Sequence, residues 1–330
     1  MRVLLIGPGV NRKYGDKFYY STARRIANGF IRNGHFVMHV SDRDLSDYAL
    51  GWRSVGKYYA CHRINQIARG IKPDLVVLLL ADLVTAQTVA DIRKSVPGVK
   101  VVTVELDPIA NANVAKRFSD RLDHCDAGYV TTGGAVLASL ANGRAAFHIP
   151  NIVDTAIDDQ LAYENTALSY DVFFAGSQNK DSPQWSRALA LQAMSPHRTH
   201  CYAGAGKTGG LWGYDFIQAQ GNSRVGLNLN RVEGDLYASD RMGQYLGNGL
   251  LLATDRASGY DRFFGEDEMI FFAHVEDLDA QLTRDLATDV WRDKARKARA
   301  TSLRIMSNTV VCRFIESTAR HGKPSPDWVF

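Results

Sequence analysis

Cysteine is sparse and scattered in this chain of 330 residues: Cys61, Cys125, Cys201 and Cys312 form no Cys-x-x-Cys pair. That spacing excludes a zinc ribbon and a disulfide framework, and it fits a reducing compartment. No apolar run approaches the roughly 18 residues of a membrane span. The opening "MRVLLIGPG" reaches a glycine turn after a handful of apolar residues, so it reads as a first strand and not a signal peptide, and the expected location is the cytoplasm. A strong excess of one charge is missing too. With 39 Lys and Arg against 35 Asp and Glu, the net charge of +4 is too small for a concentrated nucleic-acid face. It remains compatible with an anionic substrate or a visit to an acidic membrane surface. There is no repeat of fixed period and no low-complexity tract. Two phosphate-binding fingerprints also fail on spacing. "GPGVNRKYG" has Arg12 where G-x-G-x-x-G needs its third glycine, and "CYAGAGKTGG" has Cys201 where a P-loop needs its first.

What is present is a rhythm of short apolar runs alternating with helical periodicity, the pattern of parallel sheets with crossover helices. Strands are predicted at 2–7, 35–40, 74–80, 99–106, 127–132 and 145–150, and again at 170–176, 199–204, 224–230, 249–254 and 269–273. A helix is predicted over 16–33, where Tyr19, Ala23, Ile26, Ala27 and Phe30 recur at helical spacing. The polar stretch 151–169 interrupts the rhythm and reads as a linker. The fold class is therefore α/β: two tandem Rossmann-like, doubly wound domains, 1–155 and 156–330, followed by a helical C-terminal segment and a polar tail. At 330 residues the chain is long enough for two ordinary cores.

In such sheets ligands sit beyond the carboxyl ends of the strands, so the loops after strands carry the chemistry. After the first strand, Gly7 and Gly9 turn tightly, and Lys13 and Tyr14 stand on the loop. Asp42, after the second strand, sits where a nicotinamide enzyme holds its ribose, which leaves an oxidoreductase reading open beside that of a plain tight turn. Asp82 and Asp107 follow the third and fourth strands. A carboxylate there is often only a helix N-cap. Asp107 differs because Pro108 fixes an extended exit, which suits a general base in a cleft. In the second half, "FFAGSQNKDSPQWSR" offers Gly176 and Ser177 at a glycine turn with Arg187 beyond, a setting that suits an anion, although Arg187 reads equally as a solvated helix residue. Asn228 and Asn230 share a face of a strand end and suit hydroxyl-rich ligands or a turn. The stretch "YASDRMGQYLGNGLLLATDRASGYDRFF" then places Ser239 or Asp240 at an N-cap and Arg241 and Met242 at a helix start. Gln244 follows one turn in, and Gly247 and Gly249 bring the helix end close to the next strand. Arg241 with the helix start suits a nucleotide diphosphate.

With these stretches placed, the chain resembles glycosyltransferases of the GT-B fold, of the group 1 and spore-coat-protein-like type. The resemblance rests on "IANGFIRNGHFVMHVSDRD", on "HIPNIVD" as a Pro-Asn-x-Val-Asp junction signature, and on "SDRMGQYLGNGLLLATD" as the donor helix and strand. It implies sugar transfer from a nucleotide sugar held by the C-terminal domain to a glycan or lipid-linked acceptor met by the N-terminal one, in bacterial envelope polysaccharide synthesis. It implies no metal and no other cofactor, and a final helix that crosses back to the first domain. The sequence departs from the group 1 pattern at Gln244, where a glutamate usually holds the ribose. A non-catalytic nucleotide-sugar-binding protein is the alternative within this reading. The basic cluster Arg292, Lys294, Arg296, Lys297 and Arg299 reads either as a solvated face or as a contact for anionic lipid, and Leu303, Met306, Val310, Phe314 and Ile315 are predicted to share one packed helix face.

Overall fold

The computed structural model describes all residues except 11–14, 49–52, 177–181, 204–209, 233 and 325–327, together with the backbone alone of 15–17 and 53–54. The chain divides into two compact units, Met1–Ile149 with Asn308–Phe330, and Pro150–Ser307.

The first unit is built on a parallel sheet of six strands: β1 (Arg2–Ile6), β2 (Phe36–Val40), β3 (Leu75–Leu79), β4 (Lys100–Glu105), β5 (Ala127–Val130) and β6 (Ala146–His148), in the order β2-β1-β3-β4-β5-β6. Strands such as RVLLI and LVVLL are near-continuous apolar runs because helices cover both faces of a parallel sheet. The covering helices are α1 (Thr22–Arg32), α2 (Asp42–Asp47), α3 (Arg53–Ile71), α4 (Ala86–Ser95), α5 (Ala112–Leu122) and α6 (Gly134–Ala141). The helix predicted over 16–33 is in fact a 3-10 turn at Gly15–Tyr20 followed by α1, because Ser21 is an N-cap whose Oγ accepts from Arg24 N.

The second unit repeats the topology with β7 (Tyr170–Ala175), β8 (His200–Ala203), β9 (Ser223–Asn228), β10 (Leu251–Asp255) and β11 (Ile270–Phe272), in the order β11-β10-β9-β7-β8. Its helices are α7 (Pro183–Met194), α8 (Gly213–Gly221), α9 (Arg241–Gly247), α10 (Val275–Leu286) and α11 (Val290–Met306). The stretch 151–169 is not a linker. Ile152, Val153, Asp154, Ile157, Asp158, Ala162 and Tyr163 are buried, and the segment is part of the second unit.

The C-terminal stripe is split. Ser307 leaves the helical region and separates α11 from α12 (Asn308–His321). In α12 the buried face is Val311, Cys312, Phe314, Ile315, Thr318 and Ala319, and Val310 of the expected stripe is only partly covered. This helix packs on α1 within the first unit: Arg32 donates to Asn308 Oδ1 at 3.1 Å, Asn33 Nδ2 to Thr309 O at 2.9 Å, and the buried Tyr129 hydroxyl to Ile315 O at 3.1 Å. The tail is more than polar, since Trp328 stacks on Phe314 with centroids 3.7 Å apart.

Candidate functional site

Both sheets reverse their strand order beside their first strand, between β1 and β3 and between β7 and β9. At such a switch point the adjoining loops part and leave a crevice at the carboxyl ends.

In the second unit one side chain spans that crevice. Arg241, the first residue of α9, donates from Nη1 to Ala175 O at the end of β7 (2.7 Å) and from Nη2 to Leu229 O beyond β9 (2.8 Å). Its guanidinium also lies over the Phe174 ring at 5.3 Å, and its buried Nε has no partner. Two of five N–H donors are used, so a cation with spare donors stands at the switch point.

The neighbouring residues shape this position. Asn151, in the Pro-Asn-x-Val-Asp stretch, donates through Nδ2 to Ala238 O (2.8 Å) and Ser239 O (3.0 Å), which ties that stretch to the entrance of α9. Ser239 Oγ donates to Asn228 Oδ1 at 2.7 Å, and Asn228 Nδ2 donates to Thr254 Oγ1, so the buried Asn228 amide is fully engaged in joining β9, β10 and the loop. Asn230 donates through Nδ2 to Tyr237 O at 3.0 Å, while its buried Oδ1 has no partner. Asp240 occupies the N-cap without a side-chain cap bond; its carboxylate accepts from Gln244 Nε2 at 3.3 Å. Gln244 is buried with Oε1 unpartnered, and Met242 points into the core. Gly176 abuts Trp185: a Cβ there would come within 2.8 Å of the indole Nε1. Arg187 pairs with Asp255 at the end of β10 and lies over Phe272. Ser177 lies outside the described residues, as do Lys13 and Tyr14.

The glycines at and just past the end of α9 act differently from the expectation. A Cβ on Gly247 would lie 2.5 Å from Asp158 Cβ, and Gly249 faces Tyr163 with φ of +76°, so both bring the helix end onto the 158–163 segment and not onto the next strand. The close approach of helix to strand is made elsewhere, at Gly226 of β9, where a Cβ would come within 2.5 Å of Tyr245 Cδ2. Tyr245 in turn accepts from Ala175 N at 3.3 Å and so supports the same strand end that Arg241 holds. Sequence reading missed Tyr245, Asp255 and Asn151 as parts of this site. The only local signal for Asn151 was its motif.

In the first unit, Gly9 packs on Ser41 and Asp44, which accounts for the tight turn. Asp42 is fully buried, and its Oδ2 accepts from Leu83 N at 3.0 Å while Oδ1 has no partner. Burial raises its pKa above the ordinary carboxylate range, and so inaccessible a group is poorly placed for a ribose. Asp82 bridges Arg43 (2.5 Å) and Arg121 (3.0 Å). Asp107 is 58% exposed and pairs with Arg117 at 3.0 Å. The buried carboxylate of this strand exit is Glu105, which accepts from Leu106 N, Asp107 N and Arg117 Nε, and burial raises its pKa. Leu80 and Leu236, on loops of the two sheets, hold left-handed φ values of 47° and 54°, a strained conformation for leucine. Among the described residues there is no group of three His, Cys, Asp or Glu side chains able to hold a metal ion, and no helix is long and apolar enough to cross a membrane.

The two parallel sheets with their shared strand order have the fold of the GT-B glycosyltransferases, and solved structures match over nearly the whole chain. An α-glucosyltransferase in complex with UDP and a 13-mer DNA matches with a TM-score of 0.65 at 11% identity, covering 97% of this chain and 99% of that one. AviGT4, a glycosyltransferase involved in avilamycin A biosynthesis, matches with a TM-score of 0.64 at 13% identity, covering 97% of each. Anabaena Alr3699/HepE in complex with UDP and glucose matches with a TM-score of 0.63 at 10% identity, covering 97% of this chain and 100% of that one. Residues 169–314 match the model of the glycosyl transferase-like family, and this span holds Arg241 and the strand ends that it bridges. No curated protein sequence matches the chain significantly.

Proposed function

We propose that this protein transfers a sugar from a uridine-diphosphate sugar, held at the β7/β9 crevice of the second unit, to a hydroxyl of a glycan or glycolipid acceptor of the bacterial envelope, met by the first unit in the cytoplasm. The observation that carries the reading is Arg241, a guanidinium with spare donors fixed between two strand ends inside the span that matches the glycosyl transferase-like family. UDP in the structurally similar enzymes names the nucleotide to try first.

In the reaction the bond between the anomeric carbon and the diphosphate oxygen breaks and the diphosphate leaves with the electron pair. The acceptor oxygen bonds to the anomeric carbon and gives up its proton. Arg241 neutralises the charge that grows on the diphosphate, a fixed-charge role that needs no metal. Asp107, with Asp82 as second candidate, receives the acceptor proton.

The test is a thermal-shift panel of UDP, UDP-sugars and other nucleotides, followed by an assay of UDP release with glycan and glycolipid acceptors. At 100 times its dissociation constant a ligand adds about 2.7 kcal/mol to stability. A panel in which no nucleotide shifts the melting temperature overturns the reading.

A further inference from the structure

We propose that the cavity between α3 and α4 of the first unit binds a neutral saccharide. The cavity measures about 360 Å³, at the small end of the roughly 300–1,000 Å³ typical of small-molecule sites. On α3 its wall runs from Lys57 to Asn65, and at about 100° per residue the lining positions fall within about 140° of arc, on one face of the helix. On α4 Gln87 and Asp91, one turn apart, close the other side. Cys61 Sγ donates to Leu83 O at 3.3 Å, so the cavity adjoins the loop after β3 that carries Asp82.

The wall presents donors and acceptors together. Asn65 Nδ2 donates to Asp91 Oδ2 at 3.3 Å and Gln87 Nε2 to Asp91 Oδ1 at 2.8 Å, so one carboxylate joins amides from both helices. Each amide nitrogen keeps a second hydrogen, and each carboxylate oxygen keeps a further lone pair. Asn65 Oδ1 has no partner within the chain. Tyr58 lines the same cavity and is 76% exposed, so a large part of its ring is open to a ligand.

This pattern selects among classes of ligand. Lys57 and Asp91 are the only Lys, Arg, Asp or Glu side chains in the lining and they cancel, so no net charge draws an anion or a cation. Leu, Ile, Val, Met and Phe are all missing from the wall, which disfavours an apolar ligand. A phosphate only accepts hydrogen bonds and an ammonium only donates them, whereas each sugar hydroxyl does both and so matches the row of Asn65, Asp91 and Gln87. The C–H face of a pyranose is apolar enough to lie on the Tyr58 ring. The basic cluster of α11 provides no comparable opening, because Lys294 pairs with Asp285, Arg296 with Asp293 and Lys297 with Asp267. Saccharide binding stands on the cavity alone; that the sugar belongs to a non-reacting part of the acceptor glycan rests on the transferase reading.

The test is saturation-transfer NMR on the full chain with the methyl glycosides of glucose, galactose, mannose and N-acetylglucosamine, each with and without saturating UDP. The expected result is transfer to the ring protons of at least one of these pyranosides, unchanged by UDP. Tyr58→Ala and Gln87→Ala each lower its affinity roughly two- to tenfold, through loss of the ring face and of one hydrogen bond. Arg63→Ala, on the opposite side of α3, leaves it unchanged. All three positions are exposed, and an unaltered melting temperature verifies the fold of each variant. The proposal is overturned if none of the four sugars receives transfer, if Tyr58→Ala and Gln87→Ala bind like wild type, or if UDP or inorganic phosphate displaces the sugar. A UDP-induced thermal shift is read on the same samples. Its loss with sugar transfer kept overturns the donor reading alone, and its survival with transfer lost overturns the cavity alone.

Discussion

Arg241 has two tasks that substitutions can separate. Its bonds to Ala175 O and Leu229 O hold the ends of β7 and β9, and its remaining N–H donors are left for a ligand. Arg241→Ala should lower UDP affinity by one to two decades, from loss of a charge-assisted bond of about 1.5–3 kcal/mol. It should also reduce stability by about 1–3 kcal/mol, because two carbonyls lose a partner. Arg241→Lys keeps the charge and should recover part of the affinity; calorimetry of UDP binding beside thermal melts reads both. In the first unit, Asp107→Asn should cut turnover by roughly a hundredfold or more with donor affinity unchanged. Normal transfer kinetics for that variant would remove Asp107 from the mechanism. Asp42 gives a pH signature. Its folded pKa is raised by burial, so the folded state favours the protonated form, and the stability this confers is present below the ordinary carboxylate pKa and lost as pH rises through the folded value. Asp42→Asn should therefore compare better with wild type in melting temperature at about pH 7 than at about pH 4. Arg241 was legible in the sequence because a helix start and an arginine are local signals. Tyr245 and Asp255 were not, because their roles depend on Ala175 and Arg187, some 70 residues away.

At the scale of elements, α9 is seven residues long and buried from Met242 to Gly247, so its placement is set by what its glycines admit. Gly243 meets Ile152 O and Gly247 meets Asp158, both on the segment first read as a linker. Gly247→Ala should cost about 1–3 kcal/mol by overpacking and weaken UDP binding by shifting Arg241; a variant with wild-type melting and affinity would show that the contact yields freely. All eleven strands were legible, since buried parallel strands are apolar runs whatever follows them. Helix limits at Ser21 and Ser307 were not, because apolar spacing continues across both breaks and only the local backbone turns away. The burial of 151–163 was hidden for another reason. Its polar groups pair internally, as when Asp154 N donates to Asp158 Oδ2 and Asp154 Oδ1 accepts from Ala156 N, and composition alone cannot distinguish a satisfied carboxylate from a solvated one.

At the scale of the molecule, the first unit is made from both ends of the chain. A chain ending at Ser307 would lack α12 and the tail, exposing the α1 face at Gly29 and leaving the buried Tyr129 hydroxyl without Ile315 O and Thr318 Oγ1. Amide exchange in α1 and β5 should then speed up by orders of magnitude while β9 and β10 keep their protection; uniform protection would show that the first 149 residues hold together alone. The interleaving of the units also sets an order of events at birth. On the ribosome, the segment Pro150–Ser307 is complete before the last piece of the first unit has been made, so the half synthesised first is the half finished last. At ordinary rates of synthesis it waits on the order of ten seconds or more with an uncovered apolar face, and that interval is when a chaperone has most to protect.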